Sequence, residues 1–193
     1  KNDIMTGAGG NDTFMGMDGD DTLQGGFGDD YLDGGDNGAA GDTLLFTTST
    51  SVTVDLKGDG VTGTASGVGS DTIVGFENIT TGSGNDTIKM KEDGATNVIN
   101  GGAGDSDTIS YEYYLNDINV NLGLTVAQNV QDGDSDKITN IENVIGGAGD
   151  DTLTGKDSTV SNTLQGGAGS DIIYSTTGSD RIDGDTIGGA NEG

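Results

Sequence analysis

GAGGNDTFM at residues 7–15, GMDGDDTLQ at 16–24 and GGFGDDYLD at 25–33 are three consecutive blocks of nine in one phase. Each has Gly at its first and fourth positions, Asp at its sixth and a large apolar residue at its eighth. The chain opens on the tail of such a block, with Asp3 and Met5, and is expected to be part of a longer one. Further blocks are TGSGNDTIK (81–89), GGAGDDTLT (146–154), GGAGSDIIY (166–174) and the worn STTGSDRID (175–183). A disordered chain has no reason to hold Asp and an apolar residue in fixed phase.

Composition alone points the other way. The 193 residues include 38 Gly, no Pro, Cys, His or Trp, and 33 acidic against 7 basic groups, a formal net charge of −26. Leu, Ile, Val and Phe together number 39. So acidic a chain with so few large apolar residues lies at the border of intrinsic disorder. The repeat overrides that reading, at least when a cation is present. No stretch approaches the roughly 20 apolar residues of a membrane span. The charge sign argues against nucleic acid, which is gripped through Lys and Arg. Without Cys or His, soft metal sites are excluded. What remains is oxygen chemistry from Asp, Glu, Asn and backbone carbonyls, the ligands of a hard cation such as calcium.

A longer period overlies the nonapeptides. Asp42, Asp71, Glu77, Asp86 and Asn97 recur, in the same order and at one constant offset, as Asp107, Asp136, Glu142, Asp151 and Asn162. The alternating segment SVTVDL (51–56) returns as DINVNL (117–122), and DTIVGFENIT (71–80) as DKITNIENVI (136–145). Residues 42–106 and 107–170 read as a tandem duplication, which indicates a solenoid or array.

Within a block, the apolar residue and its flanks form a very short strand, and the Gly-rich half a tight turn. Phe14, Leu23, Leu32, Leu44, Ile88, Ile99, Ile109, Leu153, Leu164, Ile173 and Ile182 are expected to stack as the core. Two nonapeptides make one coil, so that Asp3 falls over Asp21, Asp12 over Asp30 and Asn162 over Asp180. Stacked turns lie near the strand spacing of about 4.7–4.9 Å. Their carboxylates repel unless a cation lies between them. Calcium, taking six to eight oxygens, fits two facing half-sites better than magnesium, which demands a tighter octahedron.

The blocks resemble the GGxGxDxUx repeat of the RTX (repeats-in-toxin) calcium-binding proteins. The resemblance implies an all-β parallel β-roll (a β-solenoid) holding several calcium ions in its Gly/Asp-rich turns. It implies that the sixth-position Asp bridges successive ions, here Asp3, Asp12, Asp21, Asp30, Asp42, Asp86, Asp107, Asp151, Asp171 and Asp180. Carbonyls from the first five positions complete the shell. Among them are Gly7 and Gly9, Gly16 and Asp18, Gly25 and Phe27, Gly146 and Ala148, and Gly166 and Ala168. Asn97 and Asn162 stand in the Asp slot as neutral ligands, and Glu77 and Glu142 are longer. Extra residues in GGDNGAAGD (34–42) and GGAGDSD (101–107) open those turns. One continuous roll is expected over 1–193, with regular repeats at 1–45, 81–109 and 146–193 and degenerate coils at 46–80 and 110–145.

Away from the repeats, Asp55, Asp59, Asp93 and Asp132 are read as turn formers or parts of a solvated face. Tyr111, Tyr113 and Tyr114 are read as an insertion covering the core rather than a sticky patch. A threonine array of the ice-binding kind is disfavoured, because Tyr31, Ile172 and Arg181 interrupt the rows. With no His and no Cys the usual nucleophile–base pairs are missing, so no enzyme is expected. Two functions fit a secreted or cell-surface protein. One is a structural stretch of an adhesin, surface layer or filament, which the duplication favours. The other is the calcium-binding tail of an RTX protease, lipase, epimerase or pore-former. Calcium is the expected ligand, with self-association or flanking domains as the expected macromolecular contacts. Without calcium the chain is expected to be largely unfolded, then to fold outside the cell.

Overall fold

The apolar slot of each block is flanked by residues that tolerate an extended backbone, and nearly every block yields a very short strand. The computed structural model describes residues 1–57, 62–131, 133–156, 159 and 161–185. Along the first segment run β1 (Ile4–Thr6), β2 (Thr13–Met15), β3 (Asp18–Gly19), β4 (Thr22–Gln24), β5 (Tyr31–Asp33), β6 (Asp36–Asn37) and β7 (Thr43–Leu45). They are followed by β8 (Thr53–Asp55), β9 (Gly63–Ser66), β10 (Ser70–Val74), β11 (Asn78–Thr80), β12 (Thr87–Lys89) and β13 (Thr96–Asn100). The duplicate holds β14 (Thr108–Ser110), β15 (Asn119–Asn121), β16 (Gln128–Gln131), β17 (Asp134–Thr139), β18 (Asn143–Ile145), β19 (Thr152–Thr154) and β20 (Thr163–Gly167). β21 (Ile172–Tyr174) and β22 (Arg181–Asp185) complete the set. No helix forms among the described residues.

Strands go alternately to two faces. One face is the sheet β2-β5-β10-β9-β8-β12-β14-β18-β20-β22. The other is β1-β4-β7-β11-β13-β17-β16, continued by β15-β19-β21. Pairing between coils is parallel, as in Ile4↔Thr22, Thr13↔Tyr31 and Thr163↔Arg181, in each case one two-block coil apart. The fold is a parallel β-roll. The opened turns lengthen their coils without breaking register, so that Thr22 pairs with Thr43 and Thr87 with Thr108. The extra residues of the first wrap Asp20, whose Oδ1 accepts the Ala40 and Gly41 N–H groups at 2.8 and 2.9 Å.

Two antiparallel meanders interrupt the parallel order. β8, β9 and β10 pair antiparallel, carrying the chain back along the axis until β10 docks on β5. The duplicate, β15 to β17, does the same on the opposite face, with β17 docking on β13. An odd number of half-coils separates the two copies, so equivalent strands change sides. The second copy is also looser. The side-chain amide of Gln128 fills the place of backbone pairing between β16 and β15, accepting from Asn121 N–H at 2.7 Å and donating to Asn121 O at 3.1 Å.

The core is one file of side chains between the faces. Leu23, Leu32, Leu44, Ile88, Ile99, Ile109, Leu153 and Leu164 are fully buried, while Phe14 and Ile173 are partly covered. Ile182 departs from expectation: it lies on β22, the last described strand, and is 45% exposed. The meanders and the coils beside them add Val52, Val54, Ile73, Ile79, Val120, Ile138 and Val144 to the file. Tyr111 and Tyr114 go inside, edge to face with centroids 5.0 Å apart, while Tyr113 stays at the surface. Tyr31 separates Thr13 from Thr72, which interrupts the threonine row on that face.

Leu23→Asp is expected to disrupt the roll even in saturating calcium, by more than about 4 kcal/mol, because it buries an unpaired charge. Ile182→Asp should be tolerated. Equal strand spectra and melting temperatures for the two variants would contradict the inward assignment of Leu23.

Candidate metal centres

Each sixth-position side chain sits where its strand begins, so parallel pairing stacks these residues in files. One file is Asp3, Asp21, Asp42, Glu77, Asn97 and Asp136, following the pairing of β1, β4, β7, β11, β13 and β17. On the other face Asp12, Asp30 and Asp71 form a short file. Beyond the meander Asp86, Asp107, Glu142, Asn162 and Asp180 form another. Asp151 and Asp171 stack on β19 and β21. The structure therefore brings all ten predicted Asp residues into files.

The files are hydrogen-bonded ladders. The N–H of Asp3 donates to Oδ1 of Asp21 at 2.6 Å, that of Asp21 to Asp42 at 2.7 Å, and that of Asp12 to Asp30 at 2.8 Å. Asp86 N–H reaches Asp107 at 2.7 Å, Asp151 N–H reaches Asp171 at 2.9 Å, and Asn162 N–H reaches Asp180 at 2.9 Å. One carboxylate oxygen is thereby used and the other left over. Oδ2 of Asp21, Asp30, Asp42, Asp86, Asp107 and Asp171 is buried with no hydrogen-bond partner. A buried anionic oxygen without a partner is strongly unfavourable, so these atoms mark where a cation belongs.

The turn glycines show what else faces the leftover oxygen. The space a Cβ would fill on Gly7 is shared by Oδ2 of Asp12 and the carbonyl of Gly25 in the next coil. The same pair meets Gly16 (Asp21 and the Gly34 carbonyl), Gly34 (Asp42 and Gly75), Gly146 (Asp151 and Gly166) and Gly166 (Asp171 and Gly184). At all five glycines both oxygens lie within 2.6 Å of that point. That point lies one bond length from the glycine Cα, so the crowding excludes any side chain there and leaves the turn open to its neighbouring oxygens, an all-oxygen donor set that suits calcium. The residues present fit the ion that the resemblance implies. No group of three or more acidic side chains converges among the described residues, so main-chain carbonyls carry much of the donor set.

The third-position residues contribute through the backbone. Gly9 bridges to Phe27 and Asp18 pairs with Asp36. The Ala148 N–H donates to Tyr114 O at 2.9 Å and the Ala168 N–H to Gly147 O at 3.0 Å. The carbonyls of Phe27 and Asp18 already accept from Gly10 N–H and from the main-chain nitrogen of Lys1. Among the turn glycines, Gly28 and Gly169 adopt φ of 128° and 118°, open to Gly but strained for other residues.

The departures behave differently from Asp. Glu77 and Glu142 still accept the ladder N–H groups of Asp42 and Asp107, both at 3.1 Å. Glu142 has its counter-charge in Lys156, 3.3 Å away. The Asn162 amide donates to Glu142 O at 2.8 Å and its oxygen accepts from Lys156 N–H at 3.0 Å, so that rung closes without an ion, whereas Asn97 donates to Asp136 at 3.1 Å but keeps its own Oδ1 buried without a partner. The sequence reading passes over Asp71 as a ladder member, although SGVGSDTIV (66–74) is a worn nonapeptide with Gly69, Asp71 and Ile73 in the right slots. It also passes over a second, outer ladder from the fifth positions. There Asn11 accepts from Asp29 N–H at 3.1 Å, Asp29 from Ser70 N–H at 2.9 Å, and Asp117 from Asp150 N–H at 2.8 Å.

Asp93 is not solvated: its side chain is only 6% exposed, tucked against Lys91. Asp55 is half-buried and accepts from the Tyr113 hydroxyl at 3.0 Å. Asp59 and Asp132 lie outside the described residues.

Burial raises the Asp71 and Asp107 carboxyls to about 6 and that of Asp136 to about 7, with neighbouring acids adding to the shift. Asp42, Asp151 and Asp171 move the same way for the same first cause, loss of water. A carboxyl raised on folding gives stability that is fully present below its unfolded value and lost as pH rises through its folded value. In chelator, where the chain is largely unfolded at neutral pH, the strand signal is therefore expected to grow as pH falls from about 7.5 to 5. A fall over that range would contradict the burial of these groups. Asp21→Asn should act in two directions, weakening calcium about tenfold, ~1.4 kcal/mol, while stabilising the calcium-free chain. Calcium binding by calorimetry and the strand signal in chelator at low pH read the two effects separately.

Residues 6–38, 139–159 and 158–186 match the family model of the RTX calcium-binding nonapeptide repeat. Residues 39–138, which hold the first meander and most of the second, lie outside that match. No curated protein and no solved structure matches the chain. The chain thus carries RTX calcium-binding nonapeptide repeats, folded as a parallel β-roll.

Proposed function

We propose that this protein is a calcium-binding structural module of a secreted or cell-surface protein, without catalysis of its own, that folds on meeting calcium outside the cell. The observation that carries the reading is the set of buried, partnerless Oδ2 atoms along the files, those of Asp21, Asp42 and Asp171 lying beside a carbonyl of the next coil. A site of that kind exists only when two coils are already stacked, so the ion binds the folded state and stabilises it by mass action. At a net charge of −26 the calcium-free chain repels itself, and the single apolar file offers little to oppose that. Extracellular calcium modules bind at about 10⁻⁴–10⁻³ M, well above cytosolic levels. The chain then stays soft where calcium is scarce and sets where it is plentiful.

The duplicated unit favours an extended array, as in an adhesin, surface layer or filament. Two meanders of the same build recur at the offset of the duplication, on opposite faces of one roll. Asp185 ends β22, and the repeat-like residues Thr186, Ile187 and Gly188 after it lie outside the described residues.

One preparation tests both parts. Circular dichroism with added calcium is expected to show strand signal appear cooperatively in the submillimolar to millimolar range, on the order of the affinities above. Sedimentation in the same buffers should show calcium-dependent self-association. A native strand spectrum in excess chelator would sink the folding claim. A strict monomer at high concentration in saturating calcium would sink the array.

A further inference from the structure

The strongest unexplained group lies away from the nonapeptide turns, where the segment before β13 faces the segment before β17. Ser135 N–H donates to Ala95 O at 2.9 Å and the Gln131 amide to Glu92 at 2.6 Å, which fixes the two segments side by side. Three oxygens there are buried without a hydrogen-bond partner: Oδ2 of Asp93, Oε1 of Gln131 and Oδ1 of Asp134. Asp134 is 1% exposed. Its other oxygen lies 2.5 Å from the Tyr114 hydroxyl, which is also 2.6 Å from the Lys91 carbonyl. One phenolic proton cannot serve both acceptors, so the pocket holds more lone pairs than hydrogens.

The charge balance is also unmet. Glu92, Asp93 and Asp134 bring three negative charges, and Lys91 is the cation seen beside them. Its ammonium lies 3.4 Å from Asp93 Oδ2, an ion-pair distance that makes no hydrogen bond. Asp93 and Glu92 are near enough to Asp134 to push its carboxyl up, after the larger effect of burial. Asp136, two positions on, is already satisfied by Tyr111 at 2.8 Å and Asn97 at 3.1 Å.

We propose that Asp93, Gln131 and Asp134 form a divalent-cation site outside the nonapeptide turns, and that calcium is the ion it takes. Two carboxylates, one amide oxygen and nearby carbonyls are hard donors of mixed charge, as calcium accepts at irregular spacing. The site pins the second meander to the roll. β17 docks on a strand whose preceding turn, KEDGA (91–95), is no nonapeptide, so no repeat ion can hold it there.

The test counts bound calcium by equilibrium dialysis at saturation on the full chain. Asp134→Asn keeps an acceptor for Tyr114 and removes the charge, so it is expected to bind one ion fewer than wild type with an unchanged strand spectrum. Asp21→Asn is the turn control. If Asp134→Asn does not fold in calcium, Asp93→Asn carries the same expectation, since among the described residues its polar contacts are the Lys91 ammonium and the Ala95 N–H. Lys91→Met should tighten the site several-fold by removing a competing charge. An ion count equal to wild type in the folded variant overturns the proposal and leaves the turn sites standing. A wild-type chain with one ion, lost on Asp134→Asn, would support this site and refute the turns. A gain in calcium-free stability with no ion lost also overturns it, because Lys91 and protons would then be the true counter-charges.

Discussion

Parallel stacking of identical turns places like charges over one another at the spacing of neighbouring strands. In the file Asp3, Asp21 and Asp42 the carboxylates of Asp21 and Asp42 each use one oxygen to accept the N–H of the preceding rung, and the direction of that bond is the same at both rungs. The bond sets the height of the carboxylate and turns its second oxygen inward, where water does not reach it. Strand register, turn geometry and metal affinity are thus one constraint seen three ways. A coil out of register loses the ladder bond, and with it the half-site. This is why the opened turns at 34–42 and 101–107 lengthen their loops and keep the ladder intact.

Calcium and protons answer the same problem here. The buried acids of the files hold their protons more tightly than free carboxyls, because each lacks water and faces its neighbours' charge. The apolar core cannot offset this alone, since each strand of the regular coils gives it a single buried side chain. Where the sequence changes Asp to Asn, or brings Lys156 to Glu142, the ladder continues by other means. The roll therefore mixes rungs that leave a carboxylate oxygen buried without a partner with rungs that close by themselves.

Much of this was legible in the nonapeptide phase. The apolar slot predicted Leu23, Leu32, Leu44, Ile88, Ile99, Ile109, Leu153 and Leu164 as core, and spacing predicted the stacking of Asp3 on Asp21 and Asp12 on Asp30. The meanders were not legible. β9, Gly63–Ser66, is made of Gly, Thr, Ala and Ser, which together carry little strand signal of their own. It is a strand because β8 and β10 leave it backbone partners on both sides. Asp93 reads as a turn residue because KEDGA looks like one; its burial comes from β17, a strand well separated from it along the chain. Gln128 gives no sign in sequence that its side chain will stand in for a peptide group.

The change of face between the two copies has a consequence for anything that touches them. On a solenoid whose repeat spans whole coils, equivalent surfaces line up along one side, and a partner gains avidity by lying along it. Here β9 and β16, the middle strands of the two meanders, lie on opposite faces of the roll. A ligand recognising the meander face would meet it twice per chain, on opposite faces. The module is bifacial, and such a ligand is crosslinked between neighbouring rolls rather than clamped along one.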